Sequence, residues 1–250
     1  MNNPKQNFFL TKNNQKIHYK FINNKSLTTI IFLHGLMSNI KSKKAKHLKK
    51  FANENKINLL LFEYSGHGKS SGKFTDFSIK NWVEDSRSII KKLINKNKIV
   101  LIGSSMGAWI AILLIKYFYK RIKGFIAIAP APDFTEELIW KKLNDIEKSK
   151  IKKNKIYKLK SSHNDFYPIT KKFIFDGKKI LVLNKKINCS FPVELLHGIK
   201  DSSVSWVYSI KLIKTLISKK LSLTFIDDGD HSLSRAQDLK KLDLAIKNII

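Results

Sequence analysis

The sequence predicts an α/β protein in which helices cover both faces of a mostly parallel central sheet. Short apolar runs rich in β-branched residues alternate with longer stretches of helical periodicity, and Gly, Pro or Asp residues separate the two. Apolar runs without polar alternation are typical of strands that are buried on both faces, as in a parallel sheet. The regular alternation of strand and helix then favours a doubly wound domain.

Six runs are predicted as core strands and five segments between them as helices. The strands are 29–33, 59–62, 99–102, 125–129, 193–196 and 223–226. The helices are roughly 41–55, 77–95, 105–120, 204–219 and 233–249. The first 25 residues are predicted as an antiparallel hairpin that leads into the sheet.

The segment 133–176 is too long for an ordinary crossover between two strands. It is richer in Lys, Glu, Asp and Asn than its surroundings, and it has a helical pattern around 135–149. Long connections in compact domains are commonly functional insertions. We therefore predict one domain over residues 1–250, with a small cap inserted at about 133–176. The apolar side chains of this region line an acyl pocket or form the cap's own core; they are Phe134, Leu138, Trp140, Phe166, Tyr167, Phe173 and Phe175.

Composition excludes several classes of protein. Hydrophobic residues make up 43% of 250 residues, which is enough for a sizeable core and excludes a disordered chain. The single cysteine, Cys189, excludes an internal disulfide framework. No apolar run reaches the roughly 18 residues that a membrane span needs. The N-terminal residues lack the pattern of a signal peptide, so we expect a cytoplasmic protein.

The net charge of +29 admits two interpretations. A basic surface is typical of proteins that bind nucleic acid or anionic membranes. However, only three basic residues are arginines (Arg87, Arg121 and Arg235), and arginine is preferred for phosphate and base recognition. The lysines are scattered, and Lys, Asn and Ile share AT-rich codons, so drift in an AT-rich genome is a sufficient explanation. Nucleic-acid binding is not expected, and contact with an anionic membrane surface stays open.

The motif Gly103-Ser104-Ser105-Met106-Gly107 fits G-x-S-x-G between a predicted strand and a predicted helix. This is the setting of a nucleophile elbow, which would project the Ser105 hydroxyl at the carboxyl edge of the sheet. The alternative is a tight turn with incidental serines. The amide of Met106 at the helix start is one predicted oxyanion donor, and the amide of Leu36, in the turn after strand 29–33, is the other.

A serine nucleophile needs a base, and His231 is the histidine placed to supply it. Among seven histidines, it alone follows the last predicted strand in a polar turn, whereas solvated side chains are expected for His18 and His47. Asp201 follows strand 193–196 at the same edge and would orient the imidazole. Three other acids could take the role of Asp201, although turn formation is the favoured interpretation for them; they are Asp227, Asp228 and Asp230.

The loop Gly66–Gly72 contains Gly68-Lys69-Ser70, which imitates a phosphate-binding loop. A Walker motif would need glycine at position 63, which is Glu63. The loop is therefore interpreted as a wall of the active-site mouth. No histidine pair has helical metal spacing with a carboxylate, so no metal and no cofactor are predicted.

Taken in order, five motifs resemble the α/β-hydrolase superfamily over nearly the whole chain. They are His34-Gly35, Gly66-His67-Gly68-Lys69-Ser70, Gly103–Gly107, His197-Gly198 with Asp201, and Gly229-Asp230-His231. Three stretches (FEYSGHGKSSG, LIGSSMGAWIA and ELLHGIKDSSVSW) are most similar to the acyl-protein thioesterase and acyl-glucuronide esterase subgroup. Two positions depart from it: Ser205 stands where relatives have proline, and Glu63 where many have aspartate.

The resemblance implies an α/β-hydrolase fold and a serine hydrolase that cleaves carboxylic esters or thioesters through an acyl-enzyme. Peptidase, lactonase or carbon–carbon hydrolase chemistry uses the same residues and stays open. A basic membrane-surface or nucleic-acid binder with a vestigial site is the alternative from another class. The substrate-binding residues and the oligomeric state are not readable from the sequence.

Overall fold

The structure, a computed structural model, describes residues 7–160 and 166–250. Expectations that fall on residues 1–6 and 161–165, including His163 and part of the predicted cap, lie outside the described residues. Within the described ranges, no helix combines the length and the apolar composition needed to cross a bilayer.

The described residues form twelve strands and seven α-helices. The strands are β1 (Asn7–Leu10), β2 (Lys16–Ile22), β3 (Thr28–Leu33), β4 (Asn58–Phe62), β5 (Lys98–Ser104), β6 (Ile122–Ile128), β7 (Tyr157–Lys160), β8 (Phe166–Ile169), β9 (Ile187–Asn188), β10 (Val193–Gly198), β11 (Leu216–Ile217) and β12 (Leu221–Ile226). The helices are α1 (Lys43–Glu54), α2 (Ile79–Leu93), α3 (Met106–Phe118), α4 (Asp145–Lys152), α5 (Lys171–Lys178), α6 (Val207–Thr215) and α7 (Ala236–Lys247).

Eight strands form the central sheet in the order β1-β2-β4-β3-β5-β6-β10-β12. The hairpin β1–β2 is antiparallel and β2 pairs antiparallel with β4, whereas every pairing from β4 to β12 is parallel. This topology confirms the predicted mostly parallel sheet with an N-terminal hairpin at one edge.

Alternate residues of the central strands belong to two separate cores, one on each face of the sheet. On β3, Ile31 and Leu33 pack in the core that contains residues of α2 and α3. Their neighbours Ile30 and Phe32 pack in the core that contains residues of α1 and α7. Both faces of each central strand are therefore covered, which explains why the strand sequences are continuously apolar.

Two predicted helices differ from the observed ones. The pattern at 135–149 is broken into a π-helical turn at Thr135–Ile139, a 3-10 turn at Trp140–Lys142 and α4. The break has a local cause, because Asn144 and Glu147 exchange side-chain-to-backbone hydrogen bonds of 2.9 Å each and so start a new helix.

The helix predicted at 204–219 is observed only over Val207–Thr215, and β11 follows it. One face of this helix is buried. Val207 and Lys211 are exposed, whereas Ser209, Leu212 and Thr215 are buried.

The parallel strands bring three chain segments to one edge of the sheet. Ser105 follows β5, Asp201 follows β10 by a short turn, and His231 lies in the turn after β12. Because carboxyl ends of parallel strands meet at a common edge, residues far apart in sequence come close there.

Candidate active site

Ser105 occupies a strained backbone position between β5 and α3. Its φ is 54° and its ψ is −119°, a conformation that L-residues rarely adopt. Hydrogen bonds fix it, since Ser105 N donates to Ile128 O at 2.9 Å and Ser105 O accepts from Ala108 N at 3.0 Å. Such strain persists only where the surrounding structure imposes it, and it is frequent at functional sites.

The two glycines of the motif are required by close approach of backbone. A Cβ on Gly103 would lie 2.5 Å from Ala108 N and Cα, and a Cβ on Gly107 would lie 1.9 Å from Leu33 O. Both distances are far below van der Waals contact. The turn therefore brings α3 directly against β3 and β5, as the motif predicted.

The structure brings Ser105, His231 and Asp201 together in one hydrogen-bonded series. His231 Nε2 lies 3.0 Å from Ser105 Oγ, and His231 Nδ1 lies 2.7 Å from Asp201 Oδ2. With its proton on Nδ1, the imidazole donates to the carboxylate, and its Nε2 lone pair faces the serine hydroxyl. The arrangement can therefore remove a proton from Ser105.

The Asp201 side chain is fully buried, and both of its oxygens have partners. Oδ1 accepts hydrogen bonds from Ser203 N at 2.9 Å and Val204 N at 2.8 Å. Burial alone would raise the pKa of Asp201, but hydrogen bonds from His197 and His231 outweigh it and hold that pKa well below its usual range. The carboxylate is therefore charged at neutral pH.

His197 is a site residue to which sequence analysis assigned no catalytic role. Its fully buried Nε2 lies 3.2 Å from Asp201 Oδ2 and 2.9 Å from Val204 O, and its Nδ1 lies 2.7 Å from Ser209 Oγ. A neutral imidazole protonated on Nε2 satisfies all three contacts, with the Ser209 hydroxyl donating to Nδ1. A histidine inside an apolar strand, four residues before the predicted acid, is the sequence signal that could have identified it.

The turn that carries His231 is held by backbone and side-chain contacts. Lys200 N donates to Gly229 O at 2.9 Å, and Leu233 N donates to Asp230 Oδ1 at 2.9 Å. Lys44 of α1 donates from Nζ to Ser232 O and, at 3.2 Å, to Ser234 Oγ. Burial lowers the pKa of Lys44 to about 8. Sequence analysis missed this contact because it joins α1 to a turn nearly two hundred residues away.

Two of the three competing acids have other partners, and the third is exposed. Asp228 is exposed and pairs with Arg235 at 2.6 Å, and Asp230 caps Leu233 N within the turn. Asp227 is also exposed. Among these acids and Asp201, the structure therefore places Asp201 against His231 Nδ1.

The two proposed oxyanion donors lie on segments that flank Ser105. α3 begins at Met106, and the first amides of a helix have no intrahelical acceptor. On the other side, a Cβ on Gly35 would lie 3.4 Å from Ser105 Cβ, so the turn that carries Leu36 passes directly beside the serine.

The loop Gly66–Gly72 makes hydrogen bonds to strand β2 of the N-terminal hairpin and to Glu63, which follows β4. Ser70 Oγ donates to Glu63 O at 2.6 Å and accepts from His18 N at 2.9 Å. Glu63 also accepts from Lys69 N at 2.7 Å and lies 2.8 Å from His18 Nδ1. The expectation of a solvated His18 is wrong, because its side chain is mostly buried against this carboxylate.

His47 is likewise not a free surface side chain. Its Nε2 lies 2.6 Å from Asp243 Oδ1, which joins α1 to α7, and only about a fifth of the side chain is exposed (22%). The lysine-rich sequence around it had suggested a solvated ring.

Two of the aromatic residues predicted in or beside the cap pack into the main core. Phe134 and Phe173 are buried, with ring centroids 5.8 Å apart. Phe134 contacts Trp109 at 5.8 Å, and Phe173 contacts Trp82 at 6.0 Å. These contacts tie the segment 133–176 to α2 and α3. In the described ranges, no group of three or more His, Cys, Asp or Glu side chains is arranged to hold a metal ion.

Comparison with known proteins gives the family. The family model described as "Hydrolase_4: Serine aminopeptidase, S33" matches residues 24–172. The mitochondrial palmitoyl-protein thioesterase ABHD10 of Rattus norvegicus is 28% identical over 223 residues, which cover 88% of this chain and 74% of that protein.

Solved structures extend the similarity to the whole fold. The crystal structure of an Agrobacterium vitis S4 protein has a TM-score of 0.93 at 31% identity, and 98% of each chain is covered. Alpha/beta hydrolase domain-containing protein 10 from mouse has a TM-score of 0.88 at 25% identity, again with 98% of each chain covered. The family model spans more than half of the sequence, and the chain therefore belongs to the serine aminopeptidase S33 family of α/β hydrolases.

Proposed function

We propose that the protein is a serine hydrolase that cleaves carboxylic esters or thioesters through an acyl-enzyme. Ser105 is the nucleophile, His231 is the general base, and Asp201 orients the imidazole and stabilises its protonated form. The observation that carries this proposal is the pair of hydrogen bonds made by His231. Its Nε2 lies 3.0 Å from Ser105 Oγ, and its Nδ1 lies 2.7 Å from Asp201 Oδ2.

Acylation begins when His231 Nε2 takes the hydroxyl proton as Ser105 Oγ attacks the acyl carbon. The carbonyl oxygen becomes an oxyanion, which the amides of Leu36 and Met106 stabilise. The imidazolium then gives its proton to the leaving alcohol or thiol, and the bond from the acyl carbon to that group breaks. The charged Asp201 stabilises the imidazolium through both steps.

Deacylation repeats these steps with water. His231 takes a proton from the water, whose oxygen attacks the acyl carbon of the Ser105 ester. The second tetrahedral intermediate collapses, Ser105 recovers its proton from His231 and the carboxylic acid is released. No redox change and no external co-reactant other than water is needed.

The relatives support an acyl ester or thioester as the substrate class. The rat and mouse proteins similar to this chain over most of its length are named palmitoyl-protein thioesterases. The matching family model is described as a serine aminopeptidase, so an amide substrate is the competing reaction of the same residues. Esters and thioesters have better leaving groups than amides, and the proposal therefore predicts faster turnover of the former.

A fluorophosphonate probe tests the activated serine. Wild type should be labelled, Ser105→Ala should not, and Ser104→Ala, which changes the adjacent serine, should be labelled like wild type. Turnover of a short and a long acyl thioester, a p-nitrophenyl ester and an aminoacyl p-nitroanilide then identifies the reaction. Labelling of Ser105→Ala, absence of labelling in folded wild type, or a clear preference for the anilide would contradict the proposal.

A further inference from the structure

The segment 141–160 carries an unusual excess of positive charge even for this basic chain. It contains nine lysines and two acids, whereas the whole chain has 48 basic and 19 acidic residues. One of the two acids, Glu147, is already engaged, because it accepts from Asn144 N at 2.9 Å and from Tyr157 OH at 2.6 Å. These neutral donors hold Glu147 in place without changing its charge, and nine lysines against two acids give the segment a formal net charge of +7.

Lysines also converge on one aromatic ring here. The ammonium of Lys178 lies 4.4 Å from the centroid of the Trp140 ring, and those of Lys148 and Lys152 lie 5.9 and 6.0 Å from it. Glu136 lies 3.2 Å from the Lys178 ammonium and offsets part of this charge, whereas Lys148 and Lys152 add positive charge on α4 that an anionic surface would offset.

The same region exposes apolar side chains. In the described part of the chain, six large apolar side chains are more than half exposed; they are Leu10, Leu27, Ile146, Ile156, Phe166 and Leu244. Three of these belong to the short stretch from α4 to the start of β8, where Ile146 is 70% exposed, Phe166 55% and Ile156 54%. The other three lie in β1, before β3 and in α7, well apart in the fold.

Exposed apolar side chains have lysines as neighbours in two parts of this region. A groove of about 420 Å³ is lined by Ile146 with Lys150, Lys153 and Lys155, together with Asp145 and Ser149. In the hairpin β7–β8, Lys160 pairs directly with Phe166, and directly opposed residues of an antiparallel pair share a face. Along β7, Lys158 and Lys160 are exposed, whereas the alternate residues Tyr157 and Leu159 are partly buried.

We propose that this cap face, made of Ile146, Ile156 and Phe166 with Lys150, Lys155 and Lys160, docks the protein on an anionic lipid bilayer. Isolated apolar side chains surrounded by lysines are the arrangement of interfacial membrane-binding surfaces. The apolar side chains enter the boundary between headgroups and acyl chains, while the ammonium groups stay at the level of the phosphates. The proposal does not depend on the reaction at Ser105.

A second copy of the chain fits this face poorly. A two-fold interface would bring the same patch of both copies together and oppose the lysines of one to those of the other. An anionic bilayer instead supplies negative charge and an apolar interior within a few ångströms. Charge complementarity therefore favours lipid over self-association.

The cap segment also begins beside the candidate active site. Ala131, three residues after β6, donates from its amide to Ser105 O at 3.3 Å, so the chain leaves the sheet next to the serine. Binding can nevertheless be measured without any turnover, which separates this proposal from the proposed hydrolase activity.

Co-sedimentation with vesicles tests the proposal. Wild type should bind phosphatidylcholine vesicles containing 30 mol% phosphatidylglycerol at least a hundredfold more tightly than pure phosphatidylcholine vesicles. The variant Lys150→Gln/Lys155→Gln/Lys160→Gln should weaken binding by about a hundredfold, since each lysine close to an anionic surface contributes about fivefold. The variant Ile146→Ser/Ile156→Ser/Phe166→Ser should weaken it by about tenfold or more.

Matched control variants replace the same kinds of side chain at exposed positions outside the cap face. Lys12→Gln/Lys219→Gln/Lys241→Gln removes three exposed lysines, and Leu10→Ser/Leu27→Ser/Leu244→Ser removes the other three exposed apolar side chains. Both should bind the anionic vesicles within about threefold of wild type. If the control lysines matter as much as those of the cap face, or the cap apolar variant binds like wild type, the proposal is wrong.

A labelled cysteine gives a readout that does not rely on these variants. The native Cys189 is buried, and burial raises the pKa of its thiol to about 11, so Ile156→Cys can be labelled selectively at pH 7. The emission of an environment-sensitive dye at residue 156 should shift to the blue when anionic vesicles are added, whereas the emission of the same dye at Leu244→Cys should not. A shift with protein concentration alone, or an equal shift with duplex DNA, would overturn lipid docking in favour of self-association or nucleic-acid binding.

Discussion

His197 Nε2 lies 3.2 Å from the same Asp201 oxygen, Oδ2, that accepts from His231 Nδ1 at 2.7 Å. The side chains of His197 and Asp201 are both completely buried. One carboxylate oxygen therefore contacts two imidazoles, one of which faces Ser105 while the other is held by Ser209. In this position His197 fixes the direction of the carboxylate without reaching the serine.

Replacing His197 with Phe should lower kcat by about ten- to a hundredfold with little change in KM. Hydrogen bonds to charged groups contribute about 1.5–3 kcal/mol, and the lost one acts through the orientation of Asp201 rather than through substrate binding. Steady-state kinetics on a p-nitrophenyl ester measures the change. His197→Gln, which keeps an N–H donor, should recover part of the rate.

Ser209→Ala provides the matched control for His197. It removes the hydroxyl that donates to His197 Nδ1 but leaves the contact from Nε2 to Asp201, so its kcat should fall by less than that of His197→Phe. A His197→Phe protein that is folded and has wild-type kcat would show that His197 has no positioning role.

The sheet could be predicted because its strands are continuously apolar and punctuated by turn residues. The edge where Ser105, Asp201 and His231 meet followed from topology, since three parallel strands end there. Contacts between distant elements could not be predicted in the same way. The bond from Lys44 to the turn after His231 depends on how α1 packs against a segment far away in sequence. The contact from His197 to Asp201 is short in sequence, but it depends on the turn after β10, which periodicity does not reveal.

Local hydrogen bonds explain the mistaken helix boundaries. Asp201 binds Ser203 N and Val204 N, which holds this segment in a turn where periodicity suggested the start of a helix. In the segment predicted as a cap, the exchange of bonds between Asn144 and Glu147 interrupts an otherwise helical pattern. Periodicity detects apolar faces, but it does not detect a side chain that competes for backbone amides.

Gly107→Ala should prevent folding or destabilise the protein by more than about 3 kcal/mol. The new Cβ would lie 1.9 Å from Leu33 O, and only movement of the backbone could relieve this overlap. Gly35→Ala is the control, since its Cβ would have 3.4 Å to its nearest neighbour, Ser105 Cβ. Thermal unfolding followed by circular dichroism compares the two. Similar melting temperatures would show that the elbow relaxes more easily than the distances imply.

His67→Phe should reduce the loss of stability in acid. The His67 ring is buried among aromatic residues, with centroids 4.9 Å from Trp82 and 5.4 Å from Phe74, and burial lowers its pKa to about 4. The unfolded chain takes up this proton near pH 6.5, whereas the native protein takes it up only near pH 4. The free energy of unfolding therefore falls as the pH drops from about 6.5 to 4, by on the order of 3 kcal/mol for this group.

Guanidinium denaturation of wild type and His67→Phe at several pH values measures this difference. Phe keeps the aromatic packing, and Ser65 O, which lies 3.3 Å from His67 Nδ1, still accepts from Trp82 Nε1 at 3.0 Å. Burial raises the pKa of the nearby Asp85 to about 6, which has the opposite effect on stability but is common to both proteins. Parallel pH profiles of the two proteins would contradict the prediction.

Asp133→Ala should destabilise the protein by about 3 kcal/mol through loss of a buried acceptor. Asp133 Oδ2 accepts from Val182 N at 3.0 Å and from Leu183 N at 2.9 Å, so removal of the carboxylate leaves two amides without a partner. Its φ of 54° adds to the cost, because Asn and Asp adopt this conformation more readily than Ala. Asp133→Asn keeps an acceptor oxygen and the backbone preference, and it should lose less than half as much stability in urea denaturation. Equal losses in the two variants would mean that charge, rather than these two hydrogen bonds, holds the segment after α5 against the start of the cap.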